Sequence, residues 1–244
     1  MKPATGNSPD RTPEDEAWSD ARGKVSSRFV RREAALAASD AKHARIIAQR
    51  FSLLRTRILQ EMRSRGWSKL AVVPVTPGAG GTYVAVHLAL ALARQPHTKV
   101  ALLDLDLGTP SVARELGVPG CGALAPVLRD SGELDMLLSR VDEAPNLAVL
   151  APERAEPGAA ELLQDETLVQ AMQRLHDRHP AEMVILDTAP LLGEDAALAA
   201  LPLADALLLV ADGRKGTAAH MTEAERLLVG MPPVMGVVLN KSED

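Results

Sequence analysis

The sequence predicts an α/β fold, a doubly wound and mainly parallel sheet flanked by helices. Short runs of Val, Ile, Leu and Ala alternate with helical patterns over most of the 244 residues. These runs are continuous rather than alternating, as strands buried on both faces require. Polar residues of chemical interest gather just after the runs, where open parallel sheets collect ligands. In order, Lys69–Val75, Lys99–Leu105, Leu147–Ala151, Met183–Asp187, Ala206–Ala211 and Val234–Leu239 read as strands. Thr82–Arg94 reads as a helix, Pro110–Leu116 as a short one, and Gly117–Asp130 as a looser region.

Ahead of this core, residues 1–40 mix Pro, Gly, Ser and charges of both signs without apolar periodicity, which predicts a disordered N-terminal extension. Over 41–66, Ile46, Ile47, Phe51, Leu54, Ile58 and Met62 recur at helical spacing and predict an amphipathic helix. That helix either packs on the domain or offers a surface for self-association or partner docking. Residues 67–244 then form the single folded domain that 46% hydrophobic composition can support.

The formal charge of −5 and a pI near 5.7 give no electrostatic footprint for nucleic acid. One cysteine, Cys121, forms no intrachain disulfide, and residues 1–20 lack the apolar core of a secretory signal. No apolar run approaches the roughly 20 residues that span a bilayer. These features predict a cytoplasmic protein that reaches a membrane only through a partner. The six histidines show no metal-ligand spacing, His87 reads as a packed helix residue, and Ser111 and Ser131 lack a nucleophile elbow.

The stretch Val72–Thr82 reads V-V-P-V-T-P-G-A-G-G-T. Glycines after a strand let backbone N–H groups and a helix N-terminus converge on phosphate. A working phosphate loop also carries a lysine for the β- and γ-phosphates and a hydroxyl for Mg²⁺. Thr82 supplies the hydroxyl, but Gly81 stands where the lysine belongs. Losing that charge-assisted contact removes about 1.5–3 kcal/mol of binding, and more in a phosphoryl-transfer transition state. Restoring lysine at 81 is expected to tighten binding. Arg214 and Lys215, in a G-R-K-G turn, are weaker candidates for a substitute charge.

Asp104 and Asp106 end the second core strand two residues apart, on one side of an extended chain. Asp187 ends another, at the position that holds Mg²⁺-linked water beside a phosphate loop. Three carboxylates at strand ends near one Gly-rich turn point to a shared magnesium-phosphate site.

With these motifs in place, the chain resembles the bacterial tyrosine autokinases of capsular and exopolysaccharide synthesis, whose domain is P-loop NTPase-like. The likeness runs from about Gln49 to Lys241. It rests on Pro77–Thr82 against P-G-x-G-K-[ST], on D-x-D-x-R-x-P matched by Asp104, Asp106 and Pro110 with Gly108 for the arginine, on A-E-L-L at 160–163, on the strand ending at Asp187, and on G-V-V-L-N-K at 236–241. Before the sheet, A-Q-R-F-S-L-L-R-T-R resembles the E-x-x-R-x-x-R self-association helix, with Arg55 kept and Gln49 and Ser52 at the other two positions.

The resemblance implies that Pro77, Gly78, Ala79, Gly80, Gly81 and Thr82 surround the phosphates of ATP or ADP, and that Asn240 contacts the base. Thr82, Asp104 and Asp187 would serve Mg²⁺, and Asp104 and Asp106 would be catalytic if the domain is active. It implies a membrane polysaccharide co-polymerase, a Wzz-like chain-length regulator, as partner, and possible homo-oligomers. The family's C-terminal tyrosine cluster has no counterpart here, since the one tyrosine is Tyr83. Two function classes follow: a catalytically impaired regulatory module of polysaccharide export, or an active tyrosine kinase or partitioning-type ATPase with an atypical loop.

Overall fold

The computed structural model describes residues 24–39, 41–130, 132–193 and 195–242. It is one eight-stranded sheet between helical layers. The chain runs β1 (Lys24–Val25), α1 (Arg28–Ser39), α2 (Ala41–Arg65), β2 (Lys69–Pro74), α3 (Gly81–Ala93), β3 (Val100–Asp104), α4 (Val112–Leu116) and α5 (Leu124–Asp130). It continues through β4 (Ser139–Val141), β5 (Ala144–Leu150), α6 (Ala159–Gln164), α7 (Glu166–Arg178), β6 (Met183–Asp187), α8 (Asp195–Ala200), β7 (Ala206–Asp212), α9 (Ala218–Leu227) and β8 (Val234–Asn240).

Strand order is β1-β4-β5-β3-β6-β2-β7-β8, and among the described residues only the β4–β5 pair is antiparallel. The doubly wound, mainly parallel expectation therefore holds. Every residue of β3, β6 and β7 is buried, as the unbroken apolar runs require. Alternate residues feed two cores: Val73, Leu103 and Leu186 face α6 and α7, while Val72, Leu102 and Ile185 face α2 and α3. Because β2 lies between β6 and β7, the loop leaving β2 opens beside the ends of both neighbours.

Helix α2 spans the predicted range and packs on the domain, burying Ile58, Leu59 and Met62. Arg55 is drawn into this packing, donating from Nη1 to the Ala91 carbonyl of α3 at 3.4 Å. Ile46 and Leu53 stay exposed. His87 packs as expected, stacked on Phe51 with ring centroids 4.8 Å apart and tilted on Tyr83 at 4.1 Å. Burial lowers its pKa to about 4, so the ring is neutral at physiological pH.

The disordered extension expected over 1–40 differs from the structure at its second half, while residues 1–23 lie outside the described residues. Lys24 and Val25 pair with Arg140 and Val141. Ser26 Oγ donates to Glu143 Oε1 at 2.5 Å, and the Ser27 N–H donates to Glu143 Oε2 at 2.8 Å. The fully buried Ser27 hydroxyl donates to the Leu116 carbonyl at 2.6 Å and accepts the Val30 N–H at 3.0 Å, capping α1. Apart from Val30, these partners are about 90 or more residues away, so local composition carries no trace of them. The loose region after Gly117 likewise contains α5, whose Leu124 and Leu128 join the core.

Ser27→Ala removes one buried acceptor and strands the Leu116 carbonyl. It is expected to cost about 1–2 kcal/mol, measured by urea unfolding, with faster hydrogen exchange across residues 24–39. An unchanged midpoint would mean that this segment does not dock on the domain.

Candidate functional site

Helix α3 begins at Gly81 directly after a sharp turn, and the turn is glycine's work. Gly78 has φ 77° and Gly80 φ 89°, the left-handed region that costs other residues a steric penalty. Gly80 is the N-cap, and its carbonyl accepts the Val84 N–H at 3.1 Å. Unpaired N–H groups at the start of α3 therefore face the loop.

The acidic strand ends converge as predicted, but they are not equivalent. Asp104 and Asp187 are register partners on adjacent strands, and both are fully buried. Asp104 is committed to the chain that follows it: Oδ1 accepts the Asp106 N–H at 3.2 Å, and Oδ2 accepts those of Ser111 and Val112 at 2.8 Å each. Asp106 accepts the Thr109 N–H at 3.1 Å and the Thr109 hydroxyl at 2.9 Å, closing a turn. Asp187 alone has neither oxygen hydrogen-bonded. Sequence reasoning grouped the three as one constellation; the structure makes two of them loop fasteners and leaves one orphaned, buried carboxyl group.

Burial pushes the Asp104 carboxyl up to about 7, against three backbone donors that oppose the shift. Asp187 is pushed well above the usual range, first by burial and then by the Asp104 charge; the nearby Thr82 hydroxyl opposes this without a well-formed hydrogen bond. Thr82 Oγ1 instead pairs with Ser111 Oγ at 2.9 Å. Among the described residues no group of three or more His, Cys, Asp or Glu side chains could hold a metal by itself. Mg²⁺ commonly takes one or two protein oxygens and completes its shell with water and phosphate. An orphaned carboxyl group beside Thr82 at a helix N-terminus fits that donor set.

Sequence reasoning missed what holds the loop from its other side. Asn240, at the end of β8, donates from Nδ2 to the Ala79 carbonyl at 2.9 Å. A Cβ on Gly80 would lie 2.3 Å from that same nitrogen, so the amide occupies space that only glycine leaves free. Lys241 Nζ donates to the Gly78 carbonyl and to Asp212 Oδ2, the latter at 3.2 Å. Lys241 itself takes a left-handed φ of 58°. Asp212 also accepts the backbone N–H groups of Arg214 and Lys215 at Oδ1, at 2.9 and 3.0 Å. Lys241 is thus a cation that touches the loop, and the backbone of the G-R-K-G turn holds its carboxylate partner. Its signal in the sequence was the N-K pair after β8. A groove of about 310 Å³ opens between α2, α3 and β8, lined by Phe51, Leu54, Tyr83, Asn240 and Lys241.

Cys121 is half-buried, with its thiol pushed up to about 11 by burial, so it is not a nucleophile at neutral pH.

No family model matches the chain. It is 26% identical over 194 residues to the tyrosine-protein kinase YwqD of Bacillus subtilis, across 79% of this chain and 80% of that protein. It is 27% identical over 188 residues to the tyrosine-protein kinase Wzc of Salmonella typhimurium, across 77% of this chain but 26% of Wzc. The chain therefore matches about a quarter of Wzc's length. Among solved structures, the kinase domain of the Escherichia coli tyrosine kinase ETK superposes with a TM-score of 0.70 at 25% identity, covering 78% of this chain and 74% of that one.

Two outcomes test the geometry. Lys241→Met should speed amide exchange at Gly78–Gly81 while Lys241→Arg preserves slow exchange; equal rates in all three proteins would deny the clamp. The second concerns pH. The Asp104 carboxyl, raised in the folded state, binds its proton more tightly when folded, so its contribution is fully present below the unfolded pKa near 4 and is lost as pH rises through about 7. Asp187 is shifted in the same direction, by burial and then by the Asp104 charge. The ligand-free protein should therefore unfold at lower denaturant at pH 8 than at pH 5, and Asp187→Asn should flatten that difference. A wild-type midpoint that rises with pH over this window would contradict the assignment. By sequence and by fold, the chain is a relative of the bacterial tyrosine-protein kinases.

Proposed function

We propose that this domain is a kinase-like regulatory module that holds a nucleotide in a site unable to transfer its γ-phosphoryl group efficiently. One observation carries the reading: a well-formed phosphate loop, with Thr82 and an orphaned buried Asp187 beside it, has Gly81 where the phosphate-binding lysine would stand. The main chain of Gly78–Thr82 receives the phosphates. Thr82 and Asp187 hold Mg²⁺, which when bound neutralises phosphate charge. The groove between Phe51, Tyr83 and Asn240 takes the base of ATP or ADP. A more distant neighbour of the same fold was solved with Mg-ADP, which supports a nucleotide of this kind.

Binding and transfer make unequal demands on such a site. Main-chain donors and a helix N-terminus attract phosphate in the ground state. Transfer further requires positive charge where the γ-phosphoryl group gathers negative charge. Gly81 supplies none. Asp104 and Asp106, the expected catalytic pair, spend their oxygens on Asp106, Thr109, Ser111 and Val112. They shape the far wall of the site.

The kinship with Wzc and with EpsB of Ralstonia solanacearum, a putative tyrosine-protein kinase by name, supports a place in exopolysaccharide or capsule synthesis and export. The partner in this reading is a membrane polysaccharide co-polymerase, met at the cytoplasmic face. No helix among the described residues is long and apolar enough to cross a membrane, so contact with the bilayer is left to that partner. The alternative, an active tyrosine kinase or partitioning-type ATPase, draws on the same Thr82 and Asp187.

Mg-ATP turnover separates the two readings. The regulatory reading expects calorimetric binding of Mg-ADP or Mg-ATP with turnover at least about a hundredfold below the 1–100 s⁻¹ typical of kinases. Turnover within that range, abolished by Asp187→Asn, would establish the active enzyme instead.

A further inference from the structure

The missing lysine is half of a steric arrangement whose other half lies seven residues earlier. Pro74 is the last residue of β2, a central strand, and it is buried. Proline in a central strand ordinarily removes a ladder hydrogen bond. Here that loss is avoided. The Val75 N–H donates to Val210 of β7, while the Pro74 carbonyl turns to the other side and accepts the Leu191 N–H at 2.8 Å. The Pro74 nitrogen therefore faces the β6 side, beyond the last paired residues Val72 and Asp187.

The proline ring projects onto the start of α3. A Cβ placed on Gly81 would lie 2.8 Å from both Cδ and Cγ of Pro74 and 3.1 Å from its Cβ. These are atoms of a closed ring fixed to the strand backbone, with no rotamer by which to retreat. The backbone of Gly81 is helical and its φ is not positive, so the obstruction is Pro74 and not the local conformation.

We propose that Pro74 and Gly81 form one interlocked pair, which closes position 81 to every side chain and confines this loop to main-chain recognition of phosphate. The recognition half of the proposal rests on the nucleotide reading above; the steric half does not. Pro74 is then a specificity-determining residue: it fixes which loop chemistry the site can carry. The expectation that lysine restored at 81 would by itself tighten binding is overturned by the same contacts, because the side chain cannot be seated while Pro74 remains.

A double-mutant cycle tests the steric half without any ligand. Alanine normally stabilises a helical position relative to glycine. In the native background, Gly81→Ala should instead lower the thermal midpoint by several degrees. In a Pro74→Ala background the same change should leave the midpoint unchanged or raise it. A Gly81→Ala midpoint at or above wild type in the native background, or additive effects of the two changes, would overturn the interlock.

The second cycle uses Gly81→Lys with Mg-ATP and Mg-ADP by calorimetry. Gly81→Lys alone should bind no more tightly than wild type, whereas Pro74→Ala with Gly81→Lys should bind Mg-ATP at least about tenfold more tightly, about 1.4 kcal/mol. Equal tightening in both backgrounds would overturn the proposal. If the alanine cycle shows coupling but no protein in the second cycle binds either nucleotide, the interlock stands and the nucleotide reading fails.

Discussion

A carboxyl group at the centre of the sheet, with neither oxygen hydrogen-bonded, sets the terms for everything around it. Asp187 ends β6 between β2 and β3, where the apolar runs that make these strands leave it no water. An isolated buried carboxylate is too costly to persist, so the group either keeps its proton or meets a cation. Among the described residues, the charges acting on it are the acidic Asp104, Asp106 and Glu115. The fold supplies a hydroxyl from Thr82, a helix N-terminus from α3, and a second acidic group, Asp104, whose charge makes ionisation harder still. Such an arrangement is poor as a packed core and apt as a cation-dependent phosphate site.

Asp104 survives in the same environment because its lone pairs are spent on the main chain. Three N–H donors within eight residues fold the chain after β3 back over the carboxylate and set Ser111 against Thr82. The desolvation that threatens the acidic pair thus also shapes one wall of the site. On the opposite side, Asp212 accepts two backbone N–H groups and Lys241, and Lys241 reaches the loop. Two acidic strand ends organise their own following turns, and the phosphate loop lies between them.

How much of this was legible in the sequence follows from the range of each interaction. The buried strands and the residues at their ends were legible because burial on both faces writes a continuous apolar run, and the end of each run locates its aspartate. The loop was legible through Gly78 and Gly80, whose conformations demand glycine. Residues 24–39 were not, because Ser26 and Ser27 find Glu143 and Leu116 only after the fold has formed. Nor was the difference between Asp104 and Asp187, which depends on the path taken by the chain after each strand. The spacing of α2 was plain, but the engagement of Arg55 with the Ala91 carbonyl draws that arginine into the domain and leaves Ile46 and Leu53 as the exposed apolar residues of the helix.

Lysine in a phosphate loop does two separable things: it attracts phosphate, and it helps order the loop around it. In this chain the second task is met without it. Lys241 holds the Gly78 carbonyl, Asn240 holds the Ala79 carbonyl and fills the space beside Gly80, and the ring of Pro74 packs where a side chain at 81 would begin. A loop already held in shape loses little conformational freedom when an anion arrives, which offsets part of the missing attraction. In the proposed reading, the charge that gathers as the γ-phosphoryl group transfers is not met by a side chain at 81, and Lys241 is engaged with Asp212 and Gly78. On that reading, the same contacts that make lysine dispensable for the loop's shape favour occupancy over turnover, and a domain with that balance is suited to report on a bound nucleotide more than to spend it.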